Sequence, residues 1–121
     1  MAALDKATEI KVKMNVAIVD GGANLVAFAR QDNAWLGSKD IAIKKAQTAV
    51  YFQMASADLG KMSQPGEPLY GIEVTNGGLV SFGGGYPIKD TDGNVIGAIG
   101  VSGGVVKQDE KVSAAGRDAV K

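Results

Sequence analysis

The stretch "MNVAIVDGGANLVAFAR", residues 14–30, carries the pattern of a β-hairpin. Apolar and β-branched residues run from Met14 to Val19, as is typical of a buried strand. The segment "DGGAN", residues 20–24, has the composition of a turn, and "LVAFAR" follows it as a second strand. This hairpin is the first indication that an antiparallel sheet organises the chain.

A second group of strand-like segments lies towards the C-terminus. The turn "TDGN", residues 91–94, separates "YPIKD" from the apolar run "VIGAIGVSG". A further short strand is predicted at "GLVSF", Gly78–Phe82. These segments would form a three-stranded meander that pairs edge to edge with the first hairpin, so we expect a five-stranded, mainly antiparallel sheet.

Apolar residues at helical spacing predict three helices around this sheet. A short helix covers Ala2–Lys11, and the main helix covers Lys39–Ala57, with Ser38 as its N-cap and Leu59-Gly60 at its end. A last helix covers about Val106–Lys121. Strands and helices do not alternate as in a doubly wound sheet. The expected fold therefore mixes α and β elements and is of the α+β type, with helices flanking the sheet.

Length and charge restrict the class of protein. A chain of 121 residues is expected to form a single domain, residues 1–121. The 13 basic and 13 acidic side chains give a net charge of zero, which provides no footprint for nucleic acid or a membrane surface and favours self-association. No signal sequence or long apolar run is present, so we expect a cytoplasmic protein.

The sequence contains no cysteine and no histidine. A disulfide, a thiol nucleophile, a Cys/His zinc site, a Ser-His-Asp triad and an imidazole ligand to haem are therefore excluded within this chain. The chain therefore cannot catalyse reactions that depend on its own cysteine or histidine side chains.

Four segments, in this order, resemble the GlcG/HbpS-like family, also called the haem-degrading or DUF336 domain: "VAIVDGGANLVAFAR", "IAIKKAQTA", "FGGGYPI" and "DGNVIGAIGVSGG" with an aspartate after it. The family includes OrfY proteins and the C-terminal domain of PduO-type proteins. The resemblance, from about residue 5 onwards, implies a profilin-like fold, assembly into dimers or larger rings, and binding of haem or corrinoid-related tetrapyrroles. It also implies a link to diol, glycerol or glycolate metabolism, and an N-terminal helix that is shortened here.

The glycine runs at residues 83–85 and 103–104 raise the question of a ligand. The dinucleotide pattern G-x-G-x-x-G and the P-loop lysine are both missing. The glycines either let two backbone segments pack closely or present backbone amides to a flat or carboxylated ligand. Lys45 and Thr48, neighbours on a helix surface, either face a ligand carboxylate or are a solvated lysine and a packing threonine.

The candidate ligand-binding residues are Lys45, Thr48, Phe82, Gly83, Gly84, Gly85, Tyr86, Ser102, Gly103, Gly104 and Asp109. Iron ligation would fall to Tyr51, Tyr70, Tyr86, a methionine, a hydroxyl or a lysine, so haem or another tetrapyrrole would bind without histidine ligation. Asp109 is explained by its place in the first turn of a helix. No pair of carboxylates indicates acid–base catalysis, and no catalytic residue or metal site is predicted.

The sequence therefore favours a non-catalytic small-molecule or tetrapyrrole (haem or corrinoid)-binding accessory protein that forms a homo-oligomer. Trp35, in a polar loop, is either a cap on the core or an anchor for this assembly. One alternative is an enzyme acting on a small hydroxy acid or aldehyde metabolite. Another is a structural subunit of a larger complex.

Overall fold

The computed structural model describes residues 1–120. Its elements are α1 (Ala2–Glu9), β1 (Asn15–Asp20), β2 (Leu25–Arg30), α2 (Gly37–Phe52), α3 (Ser56–Met62), a 3₁₀ helix (Ile72–Val74), β3 (Gly85–Lys89), β4 (Val95–Ser102) and α4 (Val106–Asp118). The predicted α+β class, with an antiparallel sheet flanked by helices, is confirmed.

The sheet has four strands in the order β2-β1-β4-β3, and every neighbouring pair is antiparallel. The two hairpins are joined between β1 and β4, as the sequence predicted. The prediction of a fifth strand at residues 78–82 is wrong, because the amides of this segment bond outside any ladder. Leu79 N–H donates to the carbonyl of Glu73 at 2.8 Å, and Val80 N–H donates to Thr48 Oγ1 at 3.1 Å.

The sheet is covered on both faces, because successive residues of a strand point to opposite sides. On one face Val19 and Ala98 pack against Ala46 and Ala49 of α2. The opposite face packs against α1 and α4, and its buried residues are Ala3, Ala7, Met14, Val16, Ile88, Ile99, Val101 and Val112. Gly100 lets α2 lie directly on β4, since a Cβ there would collide with the backbone of Ala42 and Ala46.

The main helix differs from its prediction at both ends. It ends at Phe52 because Gln53 adopts a left-handed φ of 54° and its N–H donates to the carbonyl of Ala49. At the other end Leu36 is the N-cap and no side chain caps the helix, so the assignment of Ser38 as N-cap is wrong.

The terminal helices are close to their predicted limits. α1 is two residues shorter than predicted, and α4 ends at Asp118, with the predicted last residue, Lys121, outside the described residues. Among residues 1–120, no helix has both the length and the apolar character needed to cross a bilayer.

The residues Leu59-Gly60, predicted to end the main helix, lie inside α3. Gly60 is required there because a Cβ would collide with the carbonyl of Ser81. This close contact holds α3 against the segment that leads into the glycine triplet.

The two hairpin turns are built in the same way. In the first, Asp20 Oδ1 accepts the backbone N–H groups of Gly22 and Asn24, both at 2.9 Å. In the second, Asp90 Oδ1 accepts the N–H groups of Asp92 and Asn94 at the same distance. Backbone bonds to the carboxylates lower the pKa of both aspartates.

Candidate functional site

A buried ion pair lies where α2, β4 and α4 meet. Lys45 Nζ donates to Asp109 Oδ2 at 2.8 Å and to the carbonyl of Val101 at 2.9 Å. The side chains of Lys45 and Asp109 are 0% and 3% exposed. The other carboxylate oxygen, Asp109 Oδ1, accepts the N–H of Gly104 at 2.9 Å, so both oxygens are used.

Burial shifts the pKa of both partners towards the neutral form. It lowers the pKa of Lys45 and raises the pKa of Asp109, while each partner opposes the shift of the other. Two charges withdrawn from water in this way depend on each other, because either one alone would be buried without compensation. We call Lys45, Asp109 and their contacts Val101 and Gly104 the ion-pair cluster.

The glycine triplet packs around this cluster. Gly84 has φ +127°, and a Cβ there would collide with Lys45 Nζ and with the carbonyl of Val101. A Cβ on Gly85 would collide with the backbone carbonyl of Lys45, and one on Gly83 with the side chain of Glu110. The absence of side chains at all three positions therefore has a packing reason.

The amides of the triplet are not all available to a ligand. All three glycines are buried, and Gly85 N–H donates to Ser56 Oγ at 2.9 Å. The carbonyl of Gly84 accepts the N–H of Val101 at 3.0 Å. The bonds made by Gly84 and Gly85 extend the sheet and connect it to α3.

The second glycine run is also explained by packing. Gly103 has φ +145°, and a Cβ there would collide with the carbonyl of Lys13. Ser102 is buried and pairs with Asn15 at the end of the sheet. Gly104 donates its N–H to Asp109, as described above, so its amide is used inside the protein.

The structure brings together five of the candidate residues: Lys45, Phe82, Gly84, Gly104 and Asp109. The ring centroid of Phe82 lies 5.0 Å from Lys45 Nζ, and Phe82 is 43% exposed. Lys45 is not the solvated lysine that the sequence allowed. Its side chain has no exposed surface, so no ligand can reach the ammonium in this conformation.

Two of the remaining candidates have separate environments. Thr48 is fully buried and uses its hydroxyl to accept the amide of Val80. Tyr86 packs against the apolar core residues on the face of the sheet that α1 and α4 cover. The guanidinium carbon of Arg117 lies 4.5 Å from the centroid of its ring.

Sequence reasoning missed the partners that make the ion-pair cluster. Lys45 and Asp109 are 64 residues apart, and no local pattern links them. Glu110 and Ser56 were missed for the same reason. The one usable signal was a lysine at the position where α2 otherwise presents small apolar residues to the sheet.

Two clefts open beside these residues. The Phe82 pocket has a volume of about 320 Å³ and is lined by Gly60, Lys61, Phe82, Gly83, Lys107 and Glu110, among others. The β3 cleft has a volume of about 680 Å³, and its lining includes Met54, Asp58, Tyr86, Lys89, Arg117 and Asp118. Within residues 1–120, no group of three or more acidic side chains is arranged to hold a metal ion.

Comparison with known families assigns the chain to one of them. The family described as "Haem degrading protein HbpS-like" matches residues 1–118. The chain belongs to this HbpS-like family. The resemblance inferred from the four sequence segments is therefore confirmed.

Individual relatives agree with the family. The HbpS-like chain is 44% identical over 105 residues to the uncharacterized 15.0 kDa protein in the dhaT-dhaS intergenic region of Citrobacter freundii, with 86% of this chain and 73% of that protein covered. It is 41% identical over 113 residues to the corrinoid adenosyltransferase PduO of Salmonella typhimurium. That match covers 93% of this chain but 33% of PduO.

One solved relative is the PduOC:haem complex, known from a crystal structure. It superposes on the HbpS-like chain with a TM-score of 0.95 at 39% identity, covering 99% of this chain and 87% of that one. The backbone described here is thus shared with a protein that was crystallised with haem.

Proposed function

We propose that this HbpS-like protein is a non-catalytic protein that binds a tetrapyrrole, either haem or a corrinoid-related ring. The observation that supports the proposal is the 39% identity and the TM-score of 0.95 to the PduOC:haem complex. The match to PduO, named as a corrinoid adenosyltransferase, supports a ring of the same chemical class. The connection with diol, glycerol or glycolate metabolism stays a prediction.

The residues of this chain fit such a ring in a particular way. No histidine exists in the sequence, so an imidazole cannot ligate the iron. The donor types that remain at a cleft of sufficient size are the thioether of Met54 and the phenol of Tyr86, with the cations of Lys89 and Arg117 beside them. When bound, haem would supply a redox-active iron, while the chain supplies apolar packing and partners for the two propionates.

We place the ligand outside the ion-pair cluster. Lys45 and Asp109 satisfy each other, and the ammonium has no exposed surface. A propionate at Lys45 would have to displace Asp109 from a buried cation, which leaves a second carboxylate without compensation.

A titration with hemin tests the proposal. The expected result is a saturable change in the Soret band together with saturable quenching of Trp35, the single tryptophan of the chain. A Trp35→Phe variant serves as the control for the absorbance signal, which should be retained without the quenching. The absence of both a Soret change and saturable quenching in the unsubstituted protein would contradict the proposal for haem.

We also propose that the chain assembles with copies of itself. Edge strand β2 exposes Leu25 and Val26, which are 46% and 60% exposed, and the nearby loop exposes Trp35. An unpaired strand edge with apolar side chains favours pairing with another chain. Light scattering should give a mass above that of one chain, and Val26→Lys should lower it, whereas Val74→Lys, at an exposed position in the 3₁₀ helix away from this edge, should not.

A further inference from the structure

The β3 cleft is the larger of the two openings beside the candidate residues. It is bounded by the junction between α2 and α3, by edge strand β3, and by the end of α4. Ligand sites in proteins have volumes of roughly 300–1,000 Å³. The β3 cleft, at about 680 Å³, lies well within this range, whereas the Phe82 pocket, at about 320 Å³, lies at its lower end.

Tyr86, Pro87 and Met54 are the main apolar groups beside the β3 cleft. Tyr86 is half-buried, and the Arg117 guanidinium lies over its ring at 4.5 Å. Pro87 follows Tyr86 along β3, and half-buried Met54 borders the cleft from the segment after α2. An aromatic ring and a polarisable thioether both pack well against a planar apolar ring.

The β3 cleft contains two cations that can meet carboxylates on the rim of a ligand, and two anions beside them. Lys89 and Arg117 contribute two cations, and Asp58 and Asp118 contribute two anions. Arg117 Nε donates to Asp118 Oδ1 at 2.9 Å. The two terminal amino groups of Arg117 make no hydrogen bond to any group within residues 1–120, so they can donate to a carboxylate.

This inference rests on the tetrapyrrole function proposed above. We propose that the β3 cleft binds the planar macrocycle by packing against Tyr86 and Met54, with a propionate on Arg117, and that the binding does not require a metal in the ring.

Burial raises the pKa of the Tyr86 phenol, and the charge of Glu110 acts in the same direction. A raised pKa disfavours the phenolate, the form in which a tyrosine ligates ferric iron, while the charge of Arg117 opposes this shift. Together with the absence of histidine, this favours recognition of the ring and its carboxylates over recognition of the iron.

The experiment compares hemin with metal-free protoporphyrin IX, both titrated into the full chain. Hemin is followed by its Soret band and protoporphyrin by its own fluorescence. We expect both to bind with affinities that agree within a few-fold. Arg117→Gln should weaken both ligands roughly tenfold or more, as expected for the loss of a charge-assisted hydrogen bond.

Two substitutions at Tyr86 separate packing from ligation. Tyr86→Leu removes the aromatic face and should weaken both ligands, whereas Tyr86→Phe keeps the face and should bind both as well as the unsubstituted protein. Matched controls are Tyr70→Leu and Lys107→Gln, which are exposed and lie outside the cleft. These controls should leave both affinities unchanged.

The possible outcomes separate a wrong choice of binding site from a failure of the proposed function. If the unsubstituted protein binds both rings and Arg117→Gln binds them equally well, the cleft is the wrong site while the tetrapyrrole function stands. If hemin binds and protoporphyrin does not, or if Tyr86→Phe loses hemin alone, the metal is recognised and the inference is overturned. If neither ring binds, the proposed function fails for haem, and the inference about the β3 cleft fails with it.

Discussion

The protein holds cations in two different ways, at the ion-pair cluster and at the β3 cleft. Lys45 is fully buried and its charge is matched by Asp109, whereas the side chain of Arg117 is 38% exposed and stacks on Tyr86. Each site combines residues of the α2–α3 region with residues of α4, at a different place along the sheet. Burial with a fixed partner makes a cation part of the fold, while partial exposure leaves a cation able to meet a ligand.

The ion-pair cluster should give the largest effect on stability. Lys45→Met leaves Asp109 buried without a cation, so we expect the free energy of unfolding to fall by about 3–5 kcal/mol. The matched control is the adjacent Lys44→Met, because Lys44 pairs with Asp40 at the surface, where a salt bridge contributes about 1 kcal/mol or less. Urea denaturation of both variants measures the difference.

If Lys45→Met and Lys44→Met lowered the free energy of unfolding equally, the buried pair would contribute no more to stability than the surface pair. A double variant, Lys45→Met with Asp109→Leu, removes both charges together. It should recover most of the stability lost by the single variant, because an apolar pair of similar volume replaces the buried charges.

Gly84→Ala should give the next largest effect. The substitution forces a Cβ against Lys45 Nζ and the carbonyl of Val101, at a φ of +127°. Strain and overpacking together predict a loss of about 2–5 kcal/mol. Gly93→Ala is the control, since φ is also positive there but the space is open, and about 1–2 kcal/mol is expected. Thermal and urea unfolding that gave the same loss for both would refute close packing at the triplet.

Arg117→Gln should affect stability little, in contrast with Lys45→Met. The guanidinium loses its stacking on Tyr86 and its exposed contact with Asp118, which predicts a change of about 1 kcal/mol or less in the free energy of unfolding. Binding of the tetrapyrrole should fall nonetheless. A loss of stability as large as that of Lys45→Met would mean that Arg117 belongs to the fold rather than to a ligand site.

The exposed aspartates of the two hairpin turns should give the smallest effect, and it should depend on pH. Hydrogen bonds from the turn amides hold the folded-state pKa of Asp20 below its ordinary value of 3.8. The stabilisation by Asp20 is therefore complete above pH 3.8 and is lost as the pH falls through the lower folded-state pKa. Asp20→Ala should be less stable than the unsubstituted protein at neutral pH, and the difference should shrink in acid.

The control for this pH effect is Asp92→Ala in the second turn, because the Asp92 carboxylate accepts no hydrogen bond within residues 1–120. Its difference from the unsubstituted protein should change less between the two pH values. Urea denaturation at neutral pH and again well below pH 3.8 makes the measurement. A pH-independent loss in Asp20→Ala would show that the turn is stabilised by its backbone alone.

The elements that were predicted well are those with a local signal. Both hairpins have turn sequences that bond to their own backbone, and this chemistry is complete within five residues. The segment 78–82 was predicted as a strand because its composition suits one. Its amides are taken by Glu73 and by Thr48, and the contact with Thr48 on α2 is made across 32 residues.

In the candidate site, too, local sequence signals were recognised and contacts between distant segments were not. The glycine triplet, Lys45 and Asp109 were all singled out from the sequence, with a ligand contact and a purely structural role both left open. Their role in packing follows from α2, β4 and α4 coming together, and the pairing of Lys45 with Asp109 is invisible until they do. Arg117, at the cleft we propose for the ligand, had no signal at all, because an exposed arginine near the end of a helix is ordinary.

By itself, the sequence determined the family, the two hairpins, the approximate helices and the exclusion of every histidine- or cysteine-based site. It could do so because turn chemistry, hydrophobic periodicity and the absence of a residue type are properties of short segments or of composition. Only the tertiary structure decided which charges are buried and which face a cleft. That choice depends on contacts between distant segments, and burial turns the same kind of side chain from a ligand contact into part of the core.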